Sequence, residues 1–211
     1  MVETEDLIKK LCKDKKKVKC VSPKSILLKA IIVFSLIIVA VLLTISRSDL
    51  HDIVSMPIML AELLFALATG LLSAVAASWL STPDVKQQRW VVWLPFIPFT
   101  MLCILVLHNI IMTPMDLLAN DDFGVHCITI TYAFAFIPAI ALIVLLKCNA
   151  NTHSTLFSVM SVMSVATFGY FCSRLICYKD NLEHLLIWHY IPVVLLSVVA
   201  AMIGSKLLRW K

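Results

Sequence analysis

Six long apolar runs dominate the chain: Ile26–Ile45, Met56–Leu80, Trp90–Met112, Val125–Leu146, Thr155–Ile176 and His184–Gly204. Crossing about 30 Å of hydrocarbon takes roughly 20 apolar residues in a helix, and each run is long enough. None shows the apolar–polar alternation of a barrel strand, so the pattern predicts α-helices. Short connections such as Ser81–Arg89 and Lys147–Ser154 make neighbouring helices antiparallel and leave no room for a second folded domain. The predicted fold class is an all-α polytopic membrane protein with six transmembrane helices. It divides into an N-terminal segment 1–25, a helical domain 26–204 and a short tail 205–211.

Charge supplies an orientation. Of 18 Lys and Arg residues, only Arg47, Arg174 and Lys179 fall on one side. The other fifteen lie in the leader (Lys9 to Lys24), at Lys29, in the alternate loops (Lys86, Arg89, Lys147) and in the tail (Lys206, Arg209, Lys211). Basic residues stay cytoplasmic, so both termini are predicted inside. The leader is basic and long, and Thr44-Ile45-Ser46-Arg47 offers no small-x-small cleavage site, which makes the first run an uncleaved anchor.

Composition narrows the function. The 211 residues are 61% hydrophobic and 15% charged, with mean hydropathy +0.95, whereas soluble domains carry about 25% charged residues. Soluble enzymes, disordered chains and direct nucleic-acid binders are excluded, and four glycines are too few for phosphate-cradling loops. No nucleophile–base arrangement, paired carboxylates or metal-protease motif occurs, so catalysis and a small-molecule substrate are not expected. The bilayer is the first partner.

The leader has its own pattern. Acids precede lysines in Glu3–Lys13, which suits a helix dipole, and Leu7, Ile8, Leu11 and Cys12 recur at helical spacing as one apolar stripe. So short a helix is marginal alone in water and needs a surface. Two surfaces can serve, anionic lipid or a groove on a partner protein.

A second cluster lies at the outer ends of the spans. Cys127 opens the fourth run and Cys177 follows the fifth, in a compartment that permits disulfides. His126, Asp180, His184 and His189 share that level as auxiliary ligands, and such a Cys/His/Asp set suits zinc, copper or cadmium. Only His184 and His189 are close in sequence, at i and i+5, so the spacing is not a metal motif. A redox thiol pair is the other chemistry, and a structural disulfide beside interfacial histidines is the plain one. No cofactor is expected beyond a transient metal. Glu62 and His108 lie inside spans; Glu62 is expected to face inward, paired with His108 or His189, or else protonated.

These residues also carry a resemblance. Asp6-Leu7-Ile8 before a basic linker, Ala61–Thr69 in the second run, Cys127, Cys177–His184 running into Trp188-His189, and the closing Leu207-Leu208-Arg209-Trp210 resemble the NrsF-type integral-membrane anti-sigma factors. The resemblance spans essentially the whole chain, with motifs in the same order. It implies a multi-pass protein of the bacterial inner membrane that holds an extracytoplasmic-function sigma factor inactive. Leu7, Ile8 and Leu11 become the sigma-binding stripe, and Cys127 and Cys177 the pair that senses metal or oxidative stress. The lysine-rich leader and five further cysteines depart from the family pattern. Two other classes compete: a membrane thiol–disulfide oxidoreductase, which normally carries a close C-x-x-C pair absent here, and a metal or cation transporter, which normally shows internal repeats or broken midplane helices.

Overall fold

The computed structural model describes residues 23–81, 89–112, 124–146 and 154–207. The apolar stripe of Leu7, Ile8 and Leu11, and with it nearly all of segment 1–25, lies outside the described residues. Among those described there is no strand. The long helices are α1 (Pro23–Thr44), α3 (Pro57–Leu80), α4 (Phe96–Met112), α5 (Gly124–Leu146) and α6 (Ser154–Arg174). A short α2 (Leu50–Val54) precedes α3. The last helix is compound: α7 (Leu182–Leu185), a π turn (Leu186–Tyr190) and α8 (Ile191–Leu207). A single 3₁₀ turn, Arg89–Val92, leads into α4 and interrupts the third predicted run. Pro57 starts α3 where a missing N–H costs nothing.

Five helical stretches are long and apolar enough to cross a membrane: Leu27–Thr44, Pro57–Leu80, Trp90–Met112, Thr155–Arg174 and Leu182–Val199. The remaining run lies in α5, of which Gly124–Phe136 is a shorter apolar helix. Outward faces are greasy throughout, with Leu36, Leu43, Ile104, Ile111, Val194 and Met202 all exposed. An apolar surface of that extent suits helices long enough to cross a membrane.

The bundle is built round α6. Its span is 78% buried against 11% for α1, yet its mean hydropathy, 1.5, is the lowest of the five. The two facts have one cause. Helices inside a bilayer gain nothing from greasiness against one another, so they pack through small residues and interhelical hydrogen bonds. Ala66, Gly70 and Ala74 recur every fourth residue of α3 and are buried. Against that stripe Ser164 Oγ donates to the Gly70 carbonyl at 2.8 Å. Other hydroxyls of α6 bond back along their own helix, Ser161 to Phe157 O at 2.8 Å and Thr167 to Met163 O at 2.6 Å. On the far side Gly169 meets α5 so closely that a Cβ would lie 2.5 Å from the Thr131 carbonyl. α1 attaches more loosely, through Phe34 stacked on Phe168 with centroids 4.2 Å apart.

This packing predicts an asymmetry between two glycines. Gly169→Ala pushes a methyl into backbone and should cost about 1–3 kcal/mol, the usual range for overpacking. Gly70→Ala meets a rotatable hydroxyl, Thr167 Oγ1 at 3.1 Å, and should cost less. Unfolding midpoints of the purified protein in mixed micelles check the order.

Candidate functional site

Two polar layers meet at the last turn of α6, where Tyr170, Ser173 and Arg174 stand at i, i+3 and i+4 and therefore share a face. The first layer is ionic. Arg174 is buried, and its Nε donates to Glu62 Oε1 of α3 at 3.0 Å while Nη1 donates to Asp180 Oδ1 at 3.0 Å. Its Nη2 lies 3.1 Å from Met59 Sδ. The Tyr170 hydroxyl also donates to Glu62, and its oxygen lies 3.0 Å from the Tyr190 hydroxyl. Asp180 is shared. Arg47, just beyond α1, reaches it with Nη2 at 3.0 Å and grips Asp49 with Nε and Nη2 at 2.7 and 2.8 Å.

Charge also sets the state of Asp180 and Arg47. Burial pushes the Asp180 carboxyl upward, but hydrogen bonds from Arg47 and Arg174 outweigh it and hold the group below the usual carboxylate range. Burial also works against the Arg47 charge, and the bonds to Asp49 and Asp180 more than reverse it, so the guanidinium stays protonated. Arg47 then ties down the link after α6: its Nη1 donates to the Cys177 carbonyl at 2.7 Å, and its backbone N–H to Leu175 O at 3.0 Å. The Tyr178 ring closes over the same guanidinium at 5.4 Å.

The second layer is the thiol–imidazole cluster. Cys127, Cys177, His184 and His189 are all buried, and their ligand atoms lie within 4.8 Å of one another. Cys127 Sγ stands 3.4 Å from Cys177 Sγ, not joined to it as a disulfide. Cys177 Sγ lies 3.4 Å from His184 Nε2, which lies 3.3 Å from His189 Nε2. The other ring nitrogen of His189, Nδ1, is 2.9 Å from Ser173 Oγ on α6. Two local features assemble the group. In an α-helix, residues five apart point about 140° away from each other; the π turn Leu186–Tyr190 widens that step and brings His189 over His184. Gly124 lies directly under the Trp188 indole, where any Cβ would overlap the ring, so the start of α5 can approach the π turn and deliver Cys127.

Several sequence-based expectations are corrected here. His126 is exposed on α5; one residue from Cys127 means about 100° round the helix, away from the cluster. Asp180 stands apart from the four cluster residues, and both its oxygens face guanidinium groups. Glu62 pairs with neither His108 nor His189: its partners are Arg174 and Tyr170. His108 is exposed on α4, while the Nδ1 of His189 faces Ser173. Arg47 and Arg174, which the sequence offered only as outer-side charges, are the centre of the ionic layer. An arginine ending an apolar run, with a glutamate inside another, was the one available signal. Tyr170, Ser173 and Tyr190 gave none.

A family model described as NrsF, negative regulator of sigma F, matches residues 11–210, nearly the whole chain. No curated protein and no solved structure matches.

The ionic layer predicts a pH dependence with a definite sign. Because the Asp180 carboxyl titrates lower in the fold than its unfolded value of about 3.9, its stabilisation is complete above that value and is lost as pH falls through the folded one. Thermal unfolding of the detergent-solubilised protein should fall in that acid window, and Asp180→Asn should lower the neutral-pH midpoint while flattening the acid slope. Glu62→Ala leaves a buried guanidinium with Asp180 as its remaining carboxylate partner and should cost more, about 3 kcal/mol at neutral pH.

Proposed function

The chain belongs to the NrsF family, the negative regulators of a sigma factor, and from that premise we propose that it is a membrane-bound anti-sigma factor acting by sequestration rather than catalysis. The observation that carries this reading is the extent of the family match, residues 11–210, over a chain whose helices suit a bilayer. Its partner is a sigma factor of the extracytoplasmic-function type, held at the bacterial inner membrane through the apolar stripe Leu7, Ile8 and Leu11. Six crossings, with α5 as the sixth, leave both termini in the cytoplasm. The distribution of basic residues, fifteen on one side against three on the other, supports that orientation.

On this reading Cys127 and Cys177 receive the outward signal, oxidative or metallic. A physical route to the leader exists. The Cys177 carbonyl is bonded to Arg47 just beyond α1, and α1 runs 22 residues, about 33 Å, back to Pro23, near the end of segment 1–25. A change at the thiols that shifts the link Leu175–Asn181 therefore loads the helix that follows the leader in sequence. Packed helices respond to such loads by moving between discrete arrangements.

Full-length protein should co-purify with its sigma factor from membranes. Leu7→Glu or Leu11→Glu should release it by placing an unpaired charge in an apolar contact, raising sigma-dependent transcription without stress. Cys127→Ser and Cys177→Ser should each alter the stress response of that transcription while leaving co-purification measurable. Binding that survives both leader substitutions would remove the stripe as the interface, and an unchanged stress response in both serine variants would remove the thiols as the sensor.

A further inference from the structure

We propose that Cys127, Cys177, His184 and His189 form a closed tetrahedral site for a divalent d¹⁰ cation, Zn²⁺ or its softer congener Cd²⁺. The argument starts from distances. With metal–sulfur bonds of about 2.3 Å and metal–nitrogen bonds of about 2.0–2.1 Å, a regular tetrahedron has edges of about 3.8 Å between sulfurs, about 3.3 Å between nitrogens and about 3.6 Å between unlike atoms. The observed edges are 3.4 Å for the sulfurs, 3.3 Å for the two Nε2 atoms and 3.4 Å for Cys177 Sγ to His184 Nε2. Of these three edges the sulfur pair departs most, by about 0.4 Å, and the other three ligand-atom pairs lie within 4.8 Å.

Ligand chemistry agrees with the spacing. Two thiolates and two imidazoles are a borderline-soft set in tetrahedral array, the preference of zinc-like ions rather than of oxygen-seeking Mg²⁺ or Ca²⁺. The nearby carboxylate that would harden the site, Asp180, is engaged by two arginines. Charge fits the location as well: two thiolates cancel a dication, so the filled site is neutral, as its burial demands. The His189 tautomer is set from outside the ligand shell. Ser173 Oγ stands at Nδ1, 2.9 Å away, so the proton can reside there and leave the Nε2 lone pair for the metal. With all four positions supplied by protein, no open position is left for substrate, which suits a structural or regulatory ion. The coordination stands on geometry alone; its regulatory consequence, that the ion clamps α5 to the link after α6 and the π turn, rests on the reading of Cys127 and Cys177 as the signal-receiving pair.

The test uses the full chain in detergent, reduced, with Cys12, Cys20, Cys103, Cys148 and Cys172 replaced by alanine, and Co²⁺ as the probe. One Co²⁺ per chain should bind with the intense visible bands of a tetrahedral ion and thiolate charge transfer in the near ultraviolet, and Zn²⁺ should displace it. Cys127→Ser and Cys177→Ser should each remove part of the charge transfer, and His184→Gln and His189→Gln should change the visible bands. Ser173→Ala, which leaves every ligand in place, should keep the spectrum and weaken binding about 10–100-fold. The faint spectrum of an octahedral ion, or one indifferent to both histidine substitutions, overturns the proposal, and because the first is read on the chain with all four ligands intact, a misfolded variant cannot hide that result. Sigma-dependent transcription separates the two readings. Tetrahedral binding with transcription insensitive to Cys127→Ser sustains the metal site and ends its sensory role; altered transcription without Co²⁺ binding sustains the sensor and ends the metal site.

Discussion

The buried guanidinium of Arg174 is the interaction on which this end of the helix bundle depends. Taking an ion out of water costs several kcal/mol even after relaxation, and only good geometry on more than one acceptor recovers it. Arg174 finds Glu62 on α3 and Asp180 in the link that follows its own helix, each at 3.0 Å. Neither acid alone would do. Because Asp180 then also receives Arg47, charges alternate from Glu62 to Asp49 through five side chains. The central helix, the second span and the end of the first are thereby held to one short link. Cys177 sits in that link, so the ionic layer decides where its sulfur lies.

The composition of α6 follows from the same position. Beside buried bulk at Phe157, Met160 and Phe168, its serines, threonines and Gly169 bring backbones close while each bonded hydroxyl finds a carbonyl. Its final turn then serves two tasks at once. Tyr170 and Arg174 face the carboxylate of Glu62, and Ser173 faces the imidazole of His189. The ionic layer and the thiol–imidazole cluster are neighbours through a single helical turn.

For a negative regulator this arrangement has a mechanical meaning. A signal can shift a conformational equilibrium only by binding one state better than another. The cluster draws ligands from α5, from the link after α6 and from α7 with its π turn, so anything that binds or bonds all four favours the one packing in which these elements meet. The link is in turn bonded to the end of α1 through Arg47. On the proposed reading, the state of two thiols outside and the freedom of a leader inside are therefore one equilibrium.

The apolar runs by themselves determined that the chain is helical and where its long helices start and stop, to within a few residues for most, because hydropathy and helix length are local properties. The order of short motifs along those runs was enough for the family. Tertiary structure decided the site. Sequence placed His126 beside Cys127 and spaced His184 and His189 unfavourably, yet the fold leaves His126 exposed and joins the other two. The reason is that a side chain's direction depends on helix phase, and a single π turn changes the phase of everything after it. Sequence likewise showed Glu62 as an acid in need of a partner, with histidines at similar depth. Which cation answers it depended on which face of each helix turns inward, and the packing of α3 against α6 set Glu62 against Arg174 and left His108 outside.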